Sequence, residues 1–222
     1  KNKVTLPYEM WSMDKIKPDT KVLSRWMKKY NKPMEYVISA KLDGVSGLYT
    51  TEGDKPRLYT RGNGIIGHEI SHLIPYLDLP KEKGLVLRGE FIISKKNFDT
   101  HFKSMSNPRN TISGLINKIK VDTNQLKYVD FVIYECIKPD LKPSEQFKLI
   151  CELTKDCIKH TMEKKISNEL LSKYLVDWRK TYEYEIDGII ITNDKIYPRK
   201  SKNPEHSFAF KMLLTDQIAE AK

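Results

Sequence analysis

Lys41 is the residue whose type and position most directly suggest chemistry. It lies in the segment A-K-L-D-G, where a run of apolar residues ends and Asp43 and Gly44 follow. A neutral lysine amine is a nucleophile, but with an ordinary pKa of ~10.4 only about one amine in a thousand is neutral near neutral pH. Nearby positive charge or partial desolvation lowers that pKa, whereas the carboxylate of Asp43 favours the charged amine. Taken alone, K-L-D-G is more typical of a turn than of an active site.

Five other segments contain charged residues that gain meaning from their order along the chain. They are Arg61 in T-R-G-N-G, Glu90 in L-R-G-E-F, Arg109 in N-P-R-N, Asp187 in E-I-D-G-I-I-I and Lys211 in F-A-F-K-M. Each has an ordinary interpretation, as a turn arginine, a strand-end glutamate, a loop arginine, a second D-G turn or a solvated lysine. The shared order and spacing of these segments are much harder to attribute to chance.

Together with Lys41, these segments resemble the nucleotidyltransferase domain of NAD-dependent DNA ligases, over about Leu6 to Lys211. The stretch R-G-N-G-I-I-G-H-E is similar to the family pattern R-G-D-G-x-x-G-E-D, and L-P-Y-E-M-W-S-M-D-K resembles the segment that leads into the domain. The run S-N-P-R-N-T-I-S-G-L resembles the family's A-N-P-R-N-x-x-x-G-S-L and is the most specific match. ATP-dependent ligases and capping enzymes share the lysine motif but not the N-P-R-N segment, which favours the NAD-dependent branch.

The resemblance implies a role for each matching residue in AMP transfer from NAD. Catalysis is expected from Lys41, Asp43, Arg61 and Lys211, with Lys41 covalently attached to AMP and Lys211 at the α-phosphate. Contacts to the adenylate are expected from Lys41, Ser39, Arg61, Glu90, Tyr134, Asp187, Ile190 and Lys211. Within that set, Tyr134 is expected to stack on adenine and Ile190 to cover its opposite face.

The resemblance also implies a metal ion and a nucleic-acid contact. Asp43, Glu90 and Asp187 carry hard oxygen ligands of the kind that suits Mg²⁺ or its water shell. For Glu90, a contact to the adenosine ribose is the alternative. Arg109 is expected to bind DNA. Fixed cations beside the reacting phosphate stabilise the extra negative charge of the transition state, most strongly where water is excluded.

Four positions depart from the family pattern. Ser39 stands where the family usually has an acidic residue that helps to read adenine, and Thr192 replaces a lysine at the end of the D-G-x-x-x-K strand. Asn117 replaces a downstream arginine, and Asn63 replaces the acidic residue of the R-G-D-G turn. These departures concern recognition of adenine and metal, and they leave the nucleophile unchanged.

The composition fits a partner with many negative charges. The chain has 39 lysine and arginine residues against 29 aspartate and glutamate residues, a formal net charge of +10. Such a field suits nucleic acid, although a lysine-rich composition can also serve solubility alone. With the resemblance, the expected partner is nicked duplex DNA, bound by a monomer.

The sequence has no run of about 18 apolar residues, the length needed to span a membrane. Lys1–Tyr8 lacks the apolar core of a signal peptide, so we expect no membrane contact. The expected location is intracellular, in the cytoplasm or, for a viral protein, at the site of viral replication.

The sequence has three cysteines, Cys136, Cys151 and Cys157, which is an odd number and includes no C-x-x-C pair. In a reducing intracellular setting they are predicted to be reduced thiols rather than a disulfide framework. His68 and His72, four residues apart but outside an H-E-x-x-H pattern, are predicted to be surface histidines.

Short apolar runs and spaced apolar residues predict the elements that position these residues. Strands are predicted at 36–40, 47–50, 57–60, 85–87, 91–93, 129–136 and 186–192. Helices are predicted at 20–30, 97–105, 112–119, 144–159 and 168–180. The segment Gly62–Gly67 lacks the βαβ context of a dinucleotide fingerprint and is predicted to form a turn. The mixture indicates an α+β domain, and the resemblance implies the nucleotidyltransferase (ATP-grasp-like ligase) fold with antiparallel sheets flanked by helices.

We expect one adenylation domain over residues 1–222. No segment of this chain resembles the NMN-binding, OB-fold, zinc-finger or BRCT domains of such ligases. The domain alone is therefore expected to hold adenylate but to react poorly with NAD and to seal nicks poorly or not at all. One alternative is an ATP-dependent DNA or RNA ligase or a capping-type nucleotidyltransferase. The other is a non-catalytic nucleic-acid-binding module, which the substitutions Ser39, Asn117 and Thr192 would suit.

Overall fold

The structure, a computed structural model, describes residues 3–18, 21–155 and 157–212. These ranges hold eleven strands in three sheets, six α-helices and a 3-10 helix at Ser71–Tyr76. The strands are rich in β-branched and aromatic residues, which suit a pleated and half-buried surface. The predicted α+β class and the antiparallel character of the sheets are confirmed, apart from one parallel strand pair.

The first large sheet has five strands and carries Lys41. Its order across the sheet is β2 (Asp14–Ile16), β11 (Ser207–Phe210), β10 (Ile186–Asn193), β3 (Tyr36–Leu42) and β9 (His160–Glu163). Neighbouring strands are antiparallel except β11 and β2, which are parallel. Strand β3 is an interior strand and is mostly buried, so the backbone on which Lys41 lies is paired on both sides.

The second large sheet has four antiparallel strands, in the order β5 (Arg57–Thr60), β4 (Val45–Thr50), β7 (Val86–Ile93) and β8 (Val129–Lys138). All eight residues of β7 are buried. Only Asp43 and Gly44 separate β3 of the first sheet from β4 of the second, so the chain passes between the sheets immediately after Lys41. A small third sheet pairs β1 (Lys3–Thr5) with β6 (Ile66–His68).

Six helices flank the sheets. They are α1 (Lys21–Lys29), α2 (Lys95–His101), α3 (Pro108–Ile116), α4 (Thr123–Leu126), α5 (Pro143–Leu153) and α6 (Asn168–Thr181). Side-chain caps fix several starts: the Asn107 side chain accepts a hydrogen bond from the Asn110 amide, and that of Ser167 accepts one from the Leu170 amide. Helix α6 buries Leu171, Leu175 and Trp178 against the core.

The structure corrects several element boundaries. The predicted strands at 85–87 and 91–93 are one strand, β7, because the intervening Arg88–Glu90 segment is also extended and buried. The helix predicted to run to residue 159 ends at Leu153, where Thr154 is extended and its hydroxyl donates to the Ile150 carbonyl. The short strands β1, β2, β6, β9 and β11 were not predicted. Residue 20, the predicted start of the first helix, lies outside the described residues.

The prediction of three reduced cysteines is wrong for two of them. Cys151 lies in the last turn of α5, the chain then reverses toward β9, and a disulfide joins it to Cys157. The reversal brings the two Cα atoms to 4.7 Å, a separation that a disulfide spans easily. Cys136 is a free and buried thiol, and burial raises its pKa to about 11.

No helix among the described residues is both long and apolar enough to cross a membrane. Residues 62–65 form a turn, as predicted, but the predicted turn over Gly62–Gly67 is too long, because Ile66 and Gly67 belong to β6. Gly62 and Gly64 have φ values of +56° and +95°, which side-chain-bearing residues rarely adopt, and the Asn63 side chain accepts hydrogen bonds from the Ile65 and Ile66 amides.

Candidate active site

Two lysines converge on one carboxylate at the centre of the predicted site. Lys41 Nζ lies 3.3 Å and 3.4 Å from the two carboxylate oxygens of Asp187, and Lys211 Nζ lies 3.2 Å from one of them. The three side chains are about equally accessible, at 27%, 30% and 28%. They are therefore ordered by each other yet open to an incoming ligand. The structure thus brings residues 41, 187 and 211 together.

A β-bulge places Asp187 between the two lysines. In the pairing of β10 with β3, Ile186 is opposite Leu42 and Gly188 is opposite Lys41, which leaves Asp187 without an opposite residue. A bulge of this kind bends the strand and re-aims a side chain. Gly188 is required by close approach, since a Cβ there would lie 2.8 Å from the Phe210 carbonyl oxygen and 3.0 Å from Lys211 Cγ.

The connection between the two sheets is held by Arg109. Its Nε donates to the Gly44 carbonyl at 3.2 Å and lies 3.5 Å from a carboxylate oxygen of Asp43. Gly44 itself is required by close approach, since a Cβ there would lie 2.2 Å from the Phe91 carbonyl oxygen. Arg109 and Asp43 thus belong to the nucleophile turn, and Arg109 remains mostly exposed for other contacts.

Glu90 of β7 reaches the same turn from the second sheet. One carboxylate oxygen accepts from the Gly44 amide at 3.2 Å, and the other accepts from the Ser46 hydroxyl at 2.9 Å. Glu90 is only 8% exposed, and this burial raises its pKa to about 7 against the opposing effect of the two hydrogen bonds. The Ser46 hydroxyl also lies 3.3 Å from that of Tyr134, so Glu90 and Tyr134 share a partner.

A cavity of about 240 Å³ opens between the two sheets, and Lys41, Asp187 and Lys211 are not among its lining residues. Its lining includes Ser39, Tyr134 and Ile190, the three residues predicted to contact adenine. Ser39 and Ile190 are directly opposite in the pairing of β3 with β10, on the face of the sheet that also carries Lys41. Tyr134 approaches from the second sheet. The cavity is therefore lined by residues of both sheets.

Ser39 and Thr192, two of the four residues that depart from the family pattern, line this cavity. The Thr192 and Ser207 hydroxyls are 2.7 Å apart on the neighbouring strands β10 and β11, and both side chains reach the cavity, as does Ser39. Hydroxyls thus stand where the family pattern would place an acid and a lysine. Asn117, in contrast, caps the end of α3 and its side chain donates back to the Ser113 carbonyl.

Arg61 contacts the N-terminal segment rather than the lysine cluster. Its Nε donates to the Met10 carbonyl at 2.8 Å and its Nη2 donates to the Ser12 hydroxyl at 2.9 Å. Burial lowers the pKa of Arg61, and the neighbouring positive charge of Arg88 lowers it further. The guanidinium holds the stretch that leads into β2 close to the site.

Arg88 also belongs to this site, although no motif in the sequence points to it. It is 6% exposed, its Nη1 donates to the Trp11 carbonyl at 3.2 Å and lies 3.3 Å from Glu135, and its guanidinium carbon is 5.6 Å from the centre of the Tyr134 ring. Its Nε has no partner among the described residues. Arg88 lies two residues before Glu90, and residues two apart in a strand share one face. That spacing could have indicated that Arg88 lies on the same face of the sheet as Glu90.

The three carboxylates predicted to hold metal are each engaged by protein. Asp43 faces Arg109, Glu90 accepts two hydrogen bonds, and Asp187 faces two lysines. Among the described residues, the one group of three or more suitable side chains gathered as metal ligands is Cys151, Cys157 and His160. Mg²⁺ commonly uses only one or two carboxylates and keeps several waters, so Asp187 and Asp43 fit it better than the buried Glu90 does. His68 and His72 lie on β6 and in the 3-10 helix and join no such group.

Comparison with known proteins agrees with this geometry. A family model described as the NAD-dependent DNA ligase adenylation domain matches residues 2–213. A DNA ligase of Acanthamoeba polyphaga mimivirus is 39% identical over 94% of this chain and 34% of that protein. A putative DNA ligase of Invertebrate iridescent virus 6 is 35% identical over 100% of this chain and 38% of that protein. The chain thus spans little more than a third of the length of these relatives.

Among solved structures, the ATP-dependent DNA ligase from bacteriophage T7, in complex with ATP, is similar with a TM-score of 0.52. The match covers 90% of this chain and 68% of that chain at 16% sequence identity. A likeness at this identity supports the shared nucleotidyltransferase fold alone.

Proposed function

The chain belongs to the NAD-dependent DNA ligase adenylation domain family, and on that premise we propose that Lys41 accepts AMP from NAD. One observation carries the proposal: Lys41, Asp187 and Lys211 meet within 3.4 Å, and Ser39, which shares a face of β3 with Lys41, lines a cavity together with Tyr134 and Ile190. A nucleophile, a second cation and a slot for a flat base are thus adjacent, which is what transfer of an adenylate requires.

In the proposed step, Lys41 Nζ attacks the α-phosphorus of NAD. A P–N bond forms, the P–O bond to nicotinamide mononucleotide breaks, the mononucleotide leaves, and the amine gives up a proton. The amine must be neutral to attack, so its contact with the Asp187 carboxylate has to be released as the adenylate enters. Lys211, already 3.2 Å from Asp187, then offers its charge to the phosphate oxygens.

The second sheet positions the nucleoside in this proposal. Tyr134 stacks on adenine and Ile190 covers the other face. Glu90 fixes the nucleophile turn through the Gly44 amide and contacts the ribose, a role that suits a buried carboxyl with a raised pKa better than metal binding does. The hydroxyls of Ser39 and Thr192 meet the adenine edge, where they exchange hydrogen bonds without adding charge.

Magnesium is the metal we propose for this site. Asp187 and Asp43 would hold it as exposed hard-oxygen ligands, with water completing its shell. When bound, Mg²⁺ neutralises charge on the phosphate oxygens.

The whole protein is proposed to seal nicks in duplex DNA. The adenylate passes from Lys41 to a 5′-phosphate, and the 3′-hydroxyl then displaces AMP. The exposed Arg109, beside the nucleophile turn, is the proposed DNA contact, and the net charge of +10 supports a polyanionic partner. We place this activity inside the cell, in the cytoplasm or at a site of viral replication, and we propose a monomer.

The test is the mass of the protein after incubation with NAD and Mg²⁺. We expect wild-type protein to gain one AMP and the Lys41→Ala variant to gain none, because no other side chain occupies the nucleophile position. Lys173→Ala, at an exposed position of α6, is the matched control and should label like wild type.

Parallel incubation with ATP separates the NAD-dependent activity from an ATP-dependent one. Weak labelling by NAD is to be repeated with the full-length parent protein, since the chain spans only part of its relatives' length. An adenylate that persists in Lys41→Ala, or its absence from the parent protein with either nucleotide, would contradict the proposal.

A further inference from the structure

We propose that Cys151, Cys157 and His160 form a second metal site, which binds one Zn²⁺ ion when the two cysteines are reduced. This site is separate from the Lys41 cluster and has no part in the proposed adenylate transfer. It lies where the end of α5, the loop that follows it and the first residue of β9 come together.

The three side chains are gathered at ligand distance. Their two sulfur atoms and one imidazole nitrogen all lie within 4.8 Å of one another, and all three residues are partly buried. Cys157 Sγ is 3.9 Å from His160 Nδ1. Two thiolates and an imidazole are a ligand set that zinc prefers, and three protein ligands leave a fourth position for water.

The imidazole ring is held in place by its neighbours. His160 Nδ1 lies 2.8 Å from the Ile158 carbonyl oxygen, and because a carbonyl only accepts, Nδ1 carries the proton. Nε2 is then the nitrogen with a lone pair for the metal, and the ring must turn to present it, because Cys157 Sγ approaches Nδ1 in the oxidised state. The ring also stacks on Phe147 of α5, with centroids 4.7 Å apart and planes within 16°.

The disulfide between Cys151 and Cys157 is the oxidised state of the same site. Disulfides are rare in the reducing cytosol and nucleus. Neighbouring cysteines of proteins in these compartments are more often metal ligands or redox groups. A dithiol reductant converts the disulfide into two thiols and is itself oxidised to a disulfide. Zinc binding then displaces the two thiol protons, so the metal and the disulfide exclude each other.

The site is coupled to the strand that carries the nucleophile. His160 is opposite Ser39 in the pairing of β9 with β3, and the Ala40 amide donates to the Lys159 carbonyl at 3.0 Å. Strand β9 is the edge of the sheet, so an ion that joins it to α5 would hold that edge in place. The ion would thus support the backbone of Ser39 and Lys41 without touching the nucleotide.

The experiment measures metal binding by protein reduced with a non-chelating phosphine. Co²⁺ serves as the optical probe, since thiolate ligands give it a sulfur-to-cobalt charge-transfer band, and Zn²⁺ is then counted by mass spectrometry of the native protein. We expect one ion per chain in the reduced wild type and none after oxidation to the disulfide. Cys136→Ser, which removes the one other thiol, should bind like wild type.

Variants of the three ligands decide the outcome. The double variant Cys151→Ser/Cys157→Ser should lose the charge-transfer band, and His160→Gln should weaken zinc binding by about tenfold or more. His160→Gln leaves both thiols in place, so it tests the site even if the double variant fails to fold. Lys41→Ala should bind zinc normally, which separates this inference from the proposed adenylation.

Three results would overturn the zinc site. They are a reduced wild type that binds neither Co²⁺ nor Zn²⁺, a folded double variant that binds as well as wild type, and an unchanged affinity in His160→Gln. The first would mean that Cys151 and Cys157 serve only as a disulfide.

Discussion

The two sheets contribute opposite kinds of polar group to one site. The five-stranded sheet supplies Lys41, Asp187 and Lys211, which are paired with one another and each a little under a third exposed. The four-stranded sheet supplies Glu90 and Arg88, which are buried at 8% and 6% exposure. Accessible ion pairs contribute little to stability but can be exchanged for a ligand, whereas buried polar groups are costly to disturb and fix geometry. We call Lys41, Asp187 and Lys211 the reactive wall of the site, because they are suited to exchange partners during reaction. We call the buried residues of the four-stranded sheet the positioning wall, because they are suited to fix geometry.

Removing Lys211 should disrupt the reactive wall most severely short of losing the nucleophile itself. Loss of one fixed cation beside a reacting phosphate typically costs about a hundredfold to a thousandfold in rate. We expect Lys211→Ala to slow single-turnover AMP transfer to Lys41 by that factor while its thermal stability stays close to wild type, because the exposed pair contributes about 1 kcal/mol or less.

Lys211→Arg is the matched variant, since it keeps the charge at a slightly different position. It should recover part of the lost rate. An unchanged rate in Lys211→Ala would show that the second lysine only orders Asp187, and a large loss of stability would contradict the division between the two walls.

Glu90 tests the positioning wall through pH. Burial raises its folded-state pKa from an ordinary 4.5 to about 7, so the folded protein holds a proton there that the unfolded chain releases. Stability contributed by this proton is present below about pH 4.5 and is lost as pH rises to about 7. At about 1.4 kcal/mol per pH unit, the loss is at most about 3.5 kcal/mol.

Glu90→Gln should remove this pH dependence. The amide can present its oxygen to the Gly44 amide and its nitrogen to the Ser46 hydroxyl, which then acts as acceptor. Urea unfolding across that pH interval measures the difference between wild type and variant, which cancels the titration of all other groups. Parallel curves for the two proteins would show that Glu90 is ionised throughout and that its burial carries no penalty.

How much of this could be read from the sequence depends on the kind of contact. Lys41, Asp187 and Lys211 were predicted as a group because ordered motifs identify a reactive cluster, but the bulge that aims Asp187 is a property of strand pairing and has no local signature. Arg88 was missed because its partners, Trp11 and Glu135, are 77 and 47 residues away.

The difference between local patterns and long-range contacts also explains why the Cys151–Cys157 disulfide and the edge strand β9 were not predicted. The apolar spacing of residues 144–159 is helical, yet the chain leaves the helix at Leu153 because pairing of β9 with β3 offers a better place for His160 and its neighbours. Tertiary pairing of this kind overrides local periodicity. The Cys151–Cys157 contact follows from that reversal and could not be predicted without it.

Tyr134 lies in the positioning wall but is also proposed to contact the substrate. Its aromatic ring and its hydroxyl should therefore contribute differently to adenylation. Stacking of a base on an aromatic ring is worth about 1–3 kcal/mol, and Tyr134→Ala should therefore raise the NAD concentration needed for half-maximal adenylation by about 5-fold to 150-fold. Tyr134→Phe keeps the ring and loses only the 3.3 Å contact to Ser46, so it should change that concentration by about twofold or less. Adenylation rates measured over a range of NAD concentrations distinguish these outcomes. If the two variants are equally impaired, the hydroxyl that links Tyr134 to Ser46 and Glu90 matters more than the ring, and Tyr134 belongs wholly to the positioning wall.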